Sequence, residues 1–454
     1  QKYKFNGNMN LSYAVFKLGE EGFPNFEKRK DFFVRWNHSQ DPKSNPSSRF
    51  SADVNFGTSS YNQLNATNAS DILANTFQSS VQYNKTFAKS NLTLSARQSQ
   101  NTATRKFDIS APELTYAVNR FYPFKRRKPV GANKWYEDIG LTYTNSTRAQ
   151  LSTIDTLLYK GDVDFNREIN KGTSHIVPIT TSIKLFKYFT FSPTATYSES
   201  WYLQSVRKSF DDESNTVVTD TVKKFARARD LSLNTSLRTI IYGMYQFKNG
   251  PVKALRHVIT PNVGFTYNPG IAGYSTVATN ANGGTANYSM FEGAMFGAPS
   301  MVKTGYLNMG LVNNLEMKVR SSKDTVSGFK KIKIFENLSI DSRYNVLADS
   351  FQLSPFNMNL RTAPVENMSI NMNAVADPYQ LDPVSGKVLD EFIADNSNDL
   401  ARITSMNVAI SYNLKSKQAK PKTESKTATK EELEEINRNR YQYVDFNIPW
   451  TLSI

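Results

Sequence analysis

The stretch of sequence that decides the fold reads Tyr3-Lys4-Phe5-Asn6-Gly7-Asn8-Met9-Asn10-Leu11-Ser12-Tyr13-Ala14-Val15. Its aromatic and aliphatic side chains fall mainly on odd positions, and its lysine, asparagine and serine side chains fall on even ones. Successive side chains of a β-strand point to opposite faces of the sheet. The stretch therefore predicts a long strand with one apolar face and one polar face.

The same alternation recurs through nearly the whole chain. It is found at 50–56, 77–87, 92–97, 139–143, 191–203, 231–247, 307–319, 368–374, 406–414 and 444–454. We predict roughly eighteen strands from this pattern. Such a series is typical of a transmembrane β-barrel, with lipid outside and water inside. A soluble β-solenoid is the alternative, but it would show a fixed short repeat with turn glycines, and the sequence shows no such repeat.

Composition agrees with a barrel wall. The 454 residues include 29 phenylalanines and 23 tyrosines, yet the mean hydropathy is only −0.50. No apolar run approaches the ~20 residues that a membrane-spanning helix needs. Barrel strands expose half of their side chains to a polar interior, and aromatic residues form girdles at the two membrane interfaces. We therefore expect an all-β fold, a large transmembrane antiparallel β-barrel of the outer-membrane type.

The net charge limits the kinds of partner, and the absence of cysteine limits the kinds of cross-link and metal site. The net charge of +15 indicates an anionic partner. The basic residues are spread over loops and strand ends and form no compact basic helix, so an anionic lipid surface is favoured over nucleic acid. The lack of cysteine excludes disulfides and thiolate metal sites.

Connection lengths predict the orientation of the strands in the membrane. The short connection 87–91 is predicted to be a periplasmic turn. The long polar segments are predicted to be extracellular; they are 205–229, 268–303, 376–402 and 415–440. Segment 268–303 also carries Phe291, Met295 and Phe296, and we expect it to fold over the mouth of the barrel.

The sequence offers little for catalysis. His38, His175 and His257 lie far apart, and none has a partner at metal-ligand spacing. Neither a Ser-His-Asp grouping nor a phosphate-binding loop is recognisable. We expect a protein that is not an enzyme and needs no cofactor, with the histidines in packing or girdle positions.

Two features are candidate functional sites. Lys125, Arg126, Arg127 and Lys128 form the densest basic run. They are predicted to contact lipid phosphates, and the alternative is a solvated loop. Pro261 and Pro449 interrupt alternating segments, and proline cannot donate a hydrogen bond to a strand ladder. Each is predicted to weaken strand pairing, and the alternative is an ordinary bulge or strand start.

Five segments together resemble one known family. They are Arg35-Trp36-Asn37-His38-Ser39-Gln40-Asp41-Pro42, residues 116–124, residues 256–265, residues 311–318 and Asp445-Phe446-Asn447-Ile448-Pro449-Trp450. In their order they resemble the LptD family of outer-membrane lipopolysaccharide-assembly proteins, in its Bacteroidota-type form. The resemblance implies a barrel of about twenty-six strands, located in the outer membrane of a Gram-negative cell.

The resemblance also implies a task and partners. Lipopolysaccharide would pass through a translocon and leave by a lateral opening between the first and last strands into the outer leaflet. The implied partners are lipopolysaccharide, an LptE-like plug lipoprotein in the lumen, periplasmic lipopolysaccharide bridge proteins and outer-membrane lipid. The family's N-terminal periplasmic jelly roll is not found here, so residues 1–454 are expected to be part of the barrel, with the jelly roll and some strands outside this chain.

Two other functions stay open at the level of sequence. One is an outer-membrane transport or secretion pore for nutrients or proteins. The other is a barrel enzyme acting on lipid, whose catalytic residues would come from distant strands.

Overall fold

The computed structural model describes residues 4–61, 65, 75–128, 130, 131, 133–164, 168–320, 328–365, 367–415, 429–438 and 450–453. Nearly all of its regular structure is β-strand. The strands are β1 (Phe5–Leu18), β2 (Glu27–Gln40), β3 (Ser48–Gly57), β4 (Thr76–Thr86), β5 (Ser90–Asn101), β6 (Lys106–Phe121), β7 (Gly140–Ile154), β8 (Asn170–Thr180), β9 (Ile183–Leu185), β10 (Phe189–Phe191), β11 (Thr194–Tyr202), β12 (Ser205–Asp211), β13 (Thr216–Val222), β14 (Ala226–Arg238), β15 (Ile241–Gln246), β16 (Val252–Asn268), β17 (Ser275–Ala278), β18 (Thr285–Tyr288), β19 (Thr304–Arg320), β20 (Phe329–Asn345), β21 (Phe356–Ala363), β22 (Met368–Asp377), β23 (Tyr379–Leu381), β24 (Val388–Phe392), β25 (Arg402–Lys415) and β26 (Thr451–Ser453).

Helices are short and lie in connections. They are α1 (Asp155–Lys160), α2 (Ile393–Asn396), α3 (Lys430–Arg438) and a 3₁₀ turn at Trp135–Asp138. Within the described part of the chain, no helix has the length and apolarity to cross a membrane.

Of the described strands, twenty belong to one sheet, and six form three separate two-stranded hairpins. The paired strands run antiparallel. The sequence predicted about eighteen strands, close to the twenty of the main sheet. The hairpins β12–β13, β17–β18 and β23–β24 lie inside long connections, and their strands of three to seven residues are too short for sustained alternation.

The chain divides into two units. In the first unit, β1 to β7 each pair with the next strand along the chain, and β11 pairs with both β8 and β14. In the second unit, β15 pairs with β16, and the series β19, β20, β21, β22, β25 and β26 pairs in that order. Both units are therefore meanders of neighbouring strands.

Because neighbouring strands of the first unit run antiparallel, successive connections lie at opposite ends of the strands, here called edges. The short connections β2–β3 and β4–β5 lie at one edge, which we call the short-turn edge, and the longer β6–β7 connection lies at the same edge. Connections β3–β4, β5–β6, β7–β8 and β11–β14 lie at the other, which we call the long-loop edge. The same logic corrects one expectation about the second unit. Segments 376–402 and 415–440 leave opposite ends of the single strand β25, so the two cannot both be extracellular.

Exposed apolar side chains confirm the two-faced pattern. Met9, Leu11 and Tyr13 on β1 are 63%, 67% and 66% exposed. Met406 and Ile410 on β25 repeat the pattern at 59% and 58%. In a protein surrounded by water such rows would be costly, because large contiguous apolar patches mark contact with protein or membrane. The predicted all-β fold class is confirmed, and the antiparallel sheet is of the kind expected for a fragment of a large transmembrane barrel.

Candidate functional site

Aromatic rings cluster on the apolar face of the first unit. On β2 and its neighbours, the His38 ring lies 5.3 Å from Phe5 and 5.4 Å from Phe50, between ring centroids. On β8 and β11, the His175 ring lies 4.2 Å from Trp201. Aromatic side chains of this kind are favoured where a membrane protein meets the lipid headgroups.

The three histidines thus lie apart and in packing positions. A 2.8 Å hydrogen bond joins Tyr143 Oη and His175 Nδ1, and a 3.3 Å one joins His257 Nε2 and Asn313 Oδ1. Among the residues that the structure describes, no three His, Cys, Asp or Glu side chains cluster in a way that could hold a metal ion.

The polar face of the first unit carries a cleft rich in hydroxyl, amide and charged groups. Its lining residues are Asp53, Gln78, Ser79, Ser80, Arg97, Gln98, Ser99, Asp108 and Ser110. Close by, Arg97 Nε lies 3.4 Å from Glu113 Oε2, and Lys106 Nζ lies 3.3 Å from Asp108 Oδ2. Both charge signs are present with donors and acceptors, which suits the hydroxyl groups of a sugar.

The second unit has a similar cleft on its polar face. Its lining includes Asn262, Asn308, Asp341, Arg343 and Asn357. Gly310 also lines this cleft. A larger residue would crowd the Asp341 side chain, because a Cβ atom at position 310 would lie 2.8 Å from Asp341 Oδ1. Polar side chains thus line this face in each unit.

The long connection after β16 folds back onto the polar face of the first unit. Phe291 is buried, with its ring 5.6 Å from that of Tyr202 at the end of β11. The Tyr202 hydroxyl donates to the Gly297 carbonyl at 3.0 Å, and Lys208 Nζ lies 2.6 Å from Glu292 Oε2. The aromatic residues noted in segment 268–303 therefore anchor it at the long-loop edge.

The basic run lies in the connection after β6, at the short-turn edge. One of its four members is held internally: Arg126 Nε donates to Glu137 Oε1 at 2.5 Å, and Arg126 Nη2 donates to Glu137 Oε2 at 2.8 Å. Backbone N–H groups of Arg126 and Lys134 also donate to this carboxylate, at 3.2 and 2.7 Å. The Arg126 guanidinium, followed by the Lys134 N–H, lowers the pKa of Glu137 to about 2.

The other three members of the run are exposed. Lys125 Nζ lies 5.6 Å from the centre of the Tyr122 ring, and Arg127 and Lys128 extend from the same loop. Three exposed basic side chains thus share one loop, whose shape is held by the hydrogen bonds between Arg126 and Glu137. Sequence reasoning missed Glu137, because an acidic residue eleven positions away carries no local signal of pairing.

Pro261 lies within β16, opposite a break in the neighbouring strand. The Thr239 N–H donates to the Pro261 carbonyl at 3.3 Å, and β14 ends at Arg238 before β15 begins at Ile241. Proline cannot return the reciprocal hydrogen bond. All six residues of β15 beyond the break are exposed. Pro449 lies outside the described residues.

Comparison with known proteins gives one finding. A family model described as LptD protein matches residues 1–379. A search of curated proteins finds no match.

Proposed function

The chain belongs to the LptD family, and from this premise we propose that it is an outer-membrane translocon that inserts lipopolysaccharide into the outer leaflet through a lateral opening of its barrel. The single observation that carries the proposal is the family match over residues 1–379. The two-faced strands support it, since they suit a wall between lipid and a wet interior.

The chemistry of the cargo fits the two faces. Lipopolysaccharide joins a phosphorylated sugar head to several acyl chains. The clefts around Arg97 and Asn357 offer donors and acceptors for the sugar, and the apolar face borders lipid where the acyl chains belong. Moving such a molecule requires no covalent step, so the proposed protein is a transporter and not an enzyme.

The proposed opening lies between the first and last strands of the complete barrel, as the family resemblance implies. Within the described strands, Pro261 marks a point of weak pairing in the wall. β14 ends at Arg238 and β15 begins at Ile241 opposite this proline, which cannot return the hydrogen bond that its carbonyl accepts from Thr239.

The proposed partners follow from the same task. An LptE-like lipoprotein would occupy the lumen, and periplasmic bridge proteins would deliver lipopolysaccharide. The basic run lies at the same edge as the short β4–β5 turn. Short turns of outer-membrane barrels face the periplasm, so Lys125, Arg127 and Lys128 would meet phosphate groups on that side. Arg126 would shape their loop through Glu137.

The first test is depletion of the full-length protein followed by surface labelling of lipopolysaccharide. We expect surface lipopolysaccharide to fall while unexported molecules accumulate. Normal surface levels would refute the proposed function and favour a pore for nutrients or proteins.

A second test follows the path of the cargo. A photo-crosslinking amino acid at Asn357, on the polar face, should capture lipopolysaccharide in cells. The same amino acid at the neighbouring Met358, on the opposite face, is the matched control. Equal capture at both positions would mean that the cargo does not follow the polar face.

The basic loop is tested by replacing Lys125, Arg127 and Lys128 with glutamine. Each lost charge should weaken binding of lipopolysaccharide to the purified protein by about fivefold, since a basic residue near an anionic lipid surface contributes about 1 kcal/mol. Dephosphorylated lipopolysaccharide is the control ligand, and its binding should not change. An equal loss with both ligands would show that the loop does not recognise phosphate.

A further inference from the structure

Two buried carboxylates lie at the long-loop edge of the first unit. Asp31 is on β2 and is 1% exposed, and Asp155 follows β7 and is 4% exposed. Both contact the turn that follows β3, at residues 58–60. They therefore meet the same three-residue turn, although they are far apart in sequence.

Hydroxyl groups hold one oxygen of each carboxylate. The Ser60 hydroxyl donates to Asp31 Oδ1 at 2.7 Å, and the Thr58 hydroxyl donates to the same atom at 3.0 Å. The Ser59 hydroxyl donates to Asp155 Oδ2 and accepts from Gln100 Nε2 at 3.0 Å. Each side chain is thus fixed in place by neutral donors.

The remaining oxygens of these side chains have no partner among the described residues. They are Asp31 Oδ2, Asp155 Oδ1 and Gln100 Oε1, and the nearby hydroxyl of Thr153 is also without one. Gln100 is fully buried, at 0% exposure. A buried acceptor without a donor is unfavourable, and an ionised one is more so. The three unpartnered amide and carboxylate atoms are all acceptors, so the group lacks a cation or a set of donors.

Among the described residues, no basic side chain forms an ion pair with Asp31 or Asp155. The turn that contacts them, residues 58–60, consists of a threonine and two serines. The side-chain donors that these two carboxylates have are therefore neutral hydroxyl groups.

We propose that this group binds a hard divalent cation, Ca²⁺, at the turn between Asp31 and Asp155. Carboxylate and amide carbonyl oxygens are ligands that Ca²⁺ takes in proteins, and water completes its coordination. The cation would connect β2, β5, the β3–β4 connection and the start of α1. It would therefore stabilise the long-loop edge of the first unit against local unfolding. The inference stands apart from the proposed function, because it depends only on these contacts.

The test uses the full-length protein in detergent, stripped of metal with EDTA and then titrated with CaCl₂. We expect uptake of one Ca²⁺ per chain by isothermal calorimetry, and a melting temperature that rises with the logarithm of the Ca²⁺ concentration. Tb³⁺ gives a second readout, since the ring of Tyr61, next to the turn, can sensitise its luminescence.

Variants locate the site. Asp31→Asn and Asp155→Asn should each weaken Ca²⁺ binding by about tenfold or more. Asp162→Asn, an exposed aspartate in the same connection as Asp155, is the matched control and should bind as the wild type does. Wild-type affinity in both asparagine variants would overturn the assignment.

The response of the wild-type protein to Ca²⁺ tests the proposal by itself, so the result does not depend on whether a variant folds. A melting temperature and calorimetric trace that do not respond to Ca²⁺ would overturn the proposal. In that case the two carboxylates are satisfied by protons or buried water instead.

Discussion

At the scale of single residues, Glu137 shows how one buried carboxylate can fix a loop. Four hydrogen bonds from Arg126 and Lys134 converge on its two oxygens. Hydrogen bonds to a charged group are stronger than neutral ones. The exposed neighbours Lys125, Arg127 and Lys128 therefore rest on a loop whose shape depends on a side chain that takes no part in binding.

The depressed pKa of Glu137 predicts a pH dependence. Its pKa in the folded protein is about 2, against an ordinary value of 4.5. A carboxylate with a lowered pKa contributes stability that is present above the ordinary value and is lost as the pH falls toward the folded one. We expect amide exchange at Arg126 and Lys134, corrected for intrinsic rate, to be steady above pH 4.5 and to accelerate between pH 4.5 and 2.

Glu137→Gln is the variant that tests this dependence. It should expose the two amides to exchange at neutral pH and remove the acid transition of the loop. Asp138→Asn, an adjacent substitution, should leave both properties unchanged. A wild-type transition in the Glu137 variant would show that another group controls the loop.

At the scale of elements, the strand that faces β16 is interrupted opposite Pro261, between the end of β14 and the start of β15. The break at residues 239–240 lies opposite the proline, where the ladder lacks one donor. Pro261→Ala restores the N–H group. The restored hydrogen bond would contribute about 1 kcal/mol, but the more flexible unfolded chain would offset about 0.4–1 kcal/mol of it.

We therefore expect a local effect from Pro261→Ala without a large global one. Amide exchange at Thr239 and Ile241 should slow, while the denaturation midpoint stays nearly constant. A large loss of stability would show instead that the proline ring is needed for packing.

The connection after β16 is a second element, and its buried contact is centred on Phe291. Phe291 packs on Tyr202, and the Val206 N–H donates to the Met290 carbonyl at 2.8 Å. Phe291→Ala removes a buried ring, a change that costs about 3 kcal/mol or more in well-packed sites. We expect the segment to detach and the Val206 amide to exchange faster.

Met290→Ala is the matched control, because that side chain is 43% exposed. Its effect on Val206 exchange should be small. Equal effects of the two variants would mean that the backbone, and not the Phe291 ring, holds the segment.

At the scale of the whole molecule, the sheet explains how a chain of mean hydropathy −0.50 belongs in a membrane. Strands satisfy their backbone groups by pairing, and only the outward face needs to be apolar. Counting apolar residues misses this arrangement, since the polar half of each strand lowers the average.

A closed barrel of such strands predicts resistance to detergent. The full-length protein, kept unheated in sodium dodecyl sulfate, should migrate faster than the boiled sample, because the paired strands stay folded until heat separates them. It should also fractionate with the outer membrane. Identical mobility before and after boiling would contradict a closed barrel.

The sequence by itself determined the class of the fold and the faces of its strands. Alternation at 3–15 and its recurrences fixed which side chains share a face, because the period of two is a property of the extended backbone. The sequence also identified the basic run and Pro261, since charge density and a missing N–H group follow directly from residue type.

Only the tertiary structure decided which distant residues meet. Asp31, Ser59 and Asp155 come together across most of the first unit, and Glu137 takes Arg126 out of the basic run. Such contacts depend on strand register and on how connections fold back, and neither leaves a periodic trace in the sequence. Local sequence pattern therefore determined the two faces of each strand, and long-range pairing determined which polar groups are buried together.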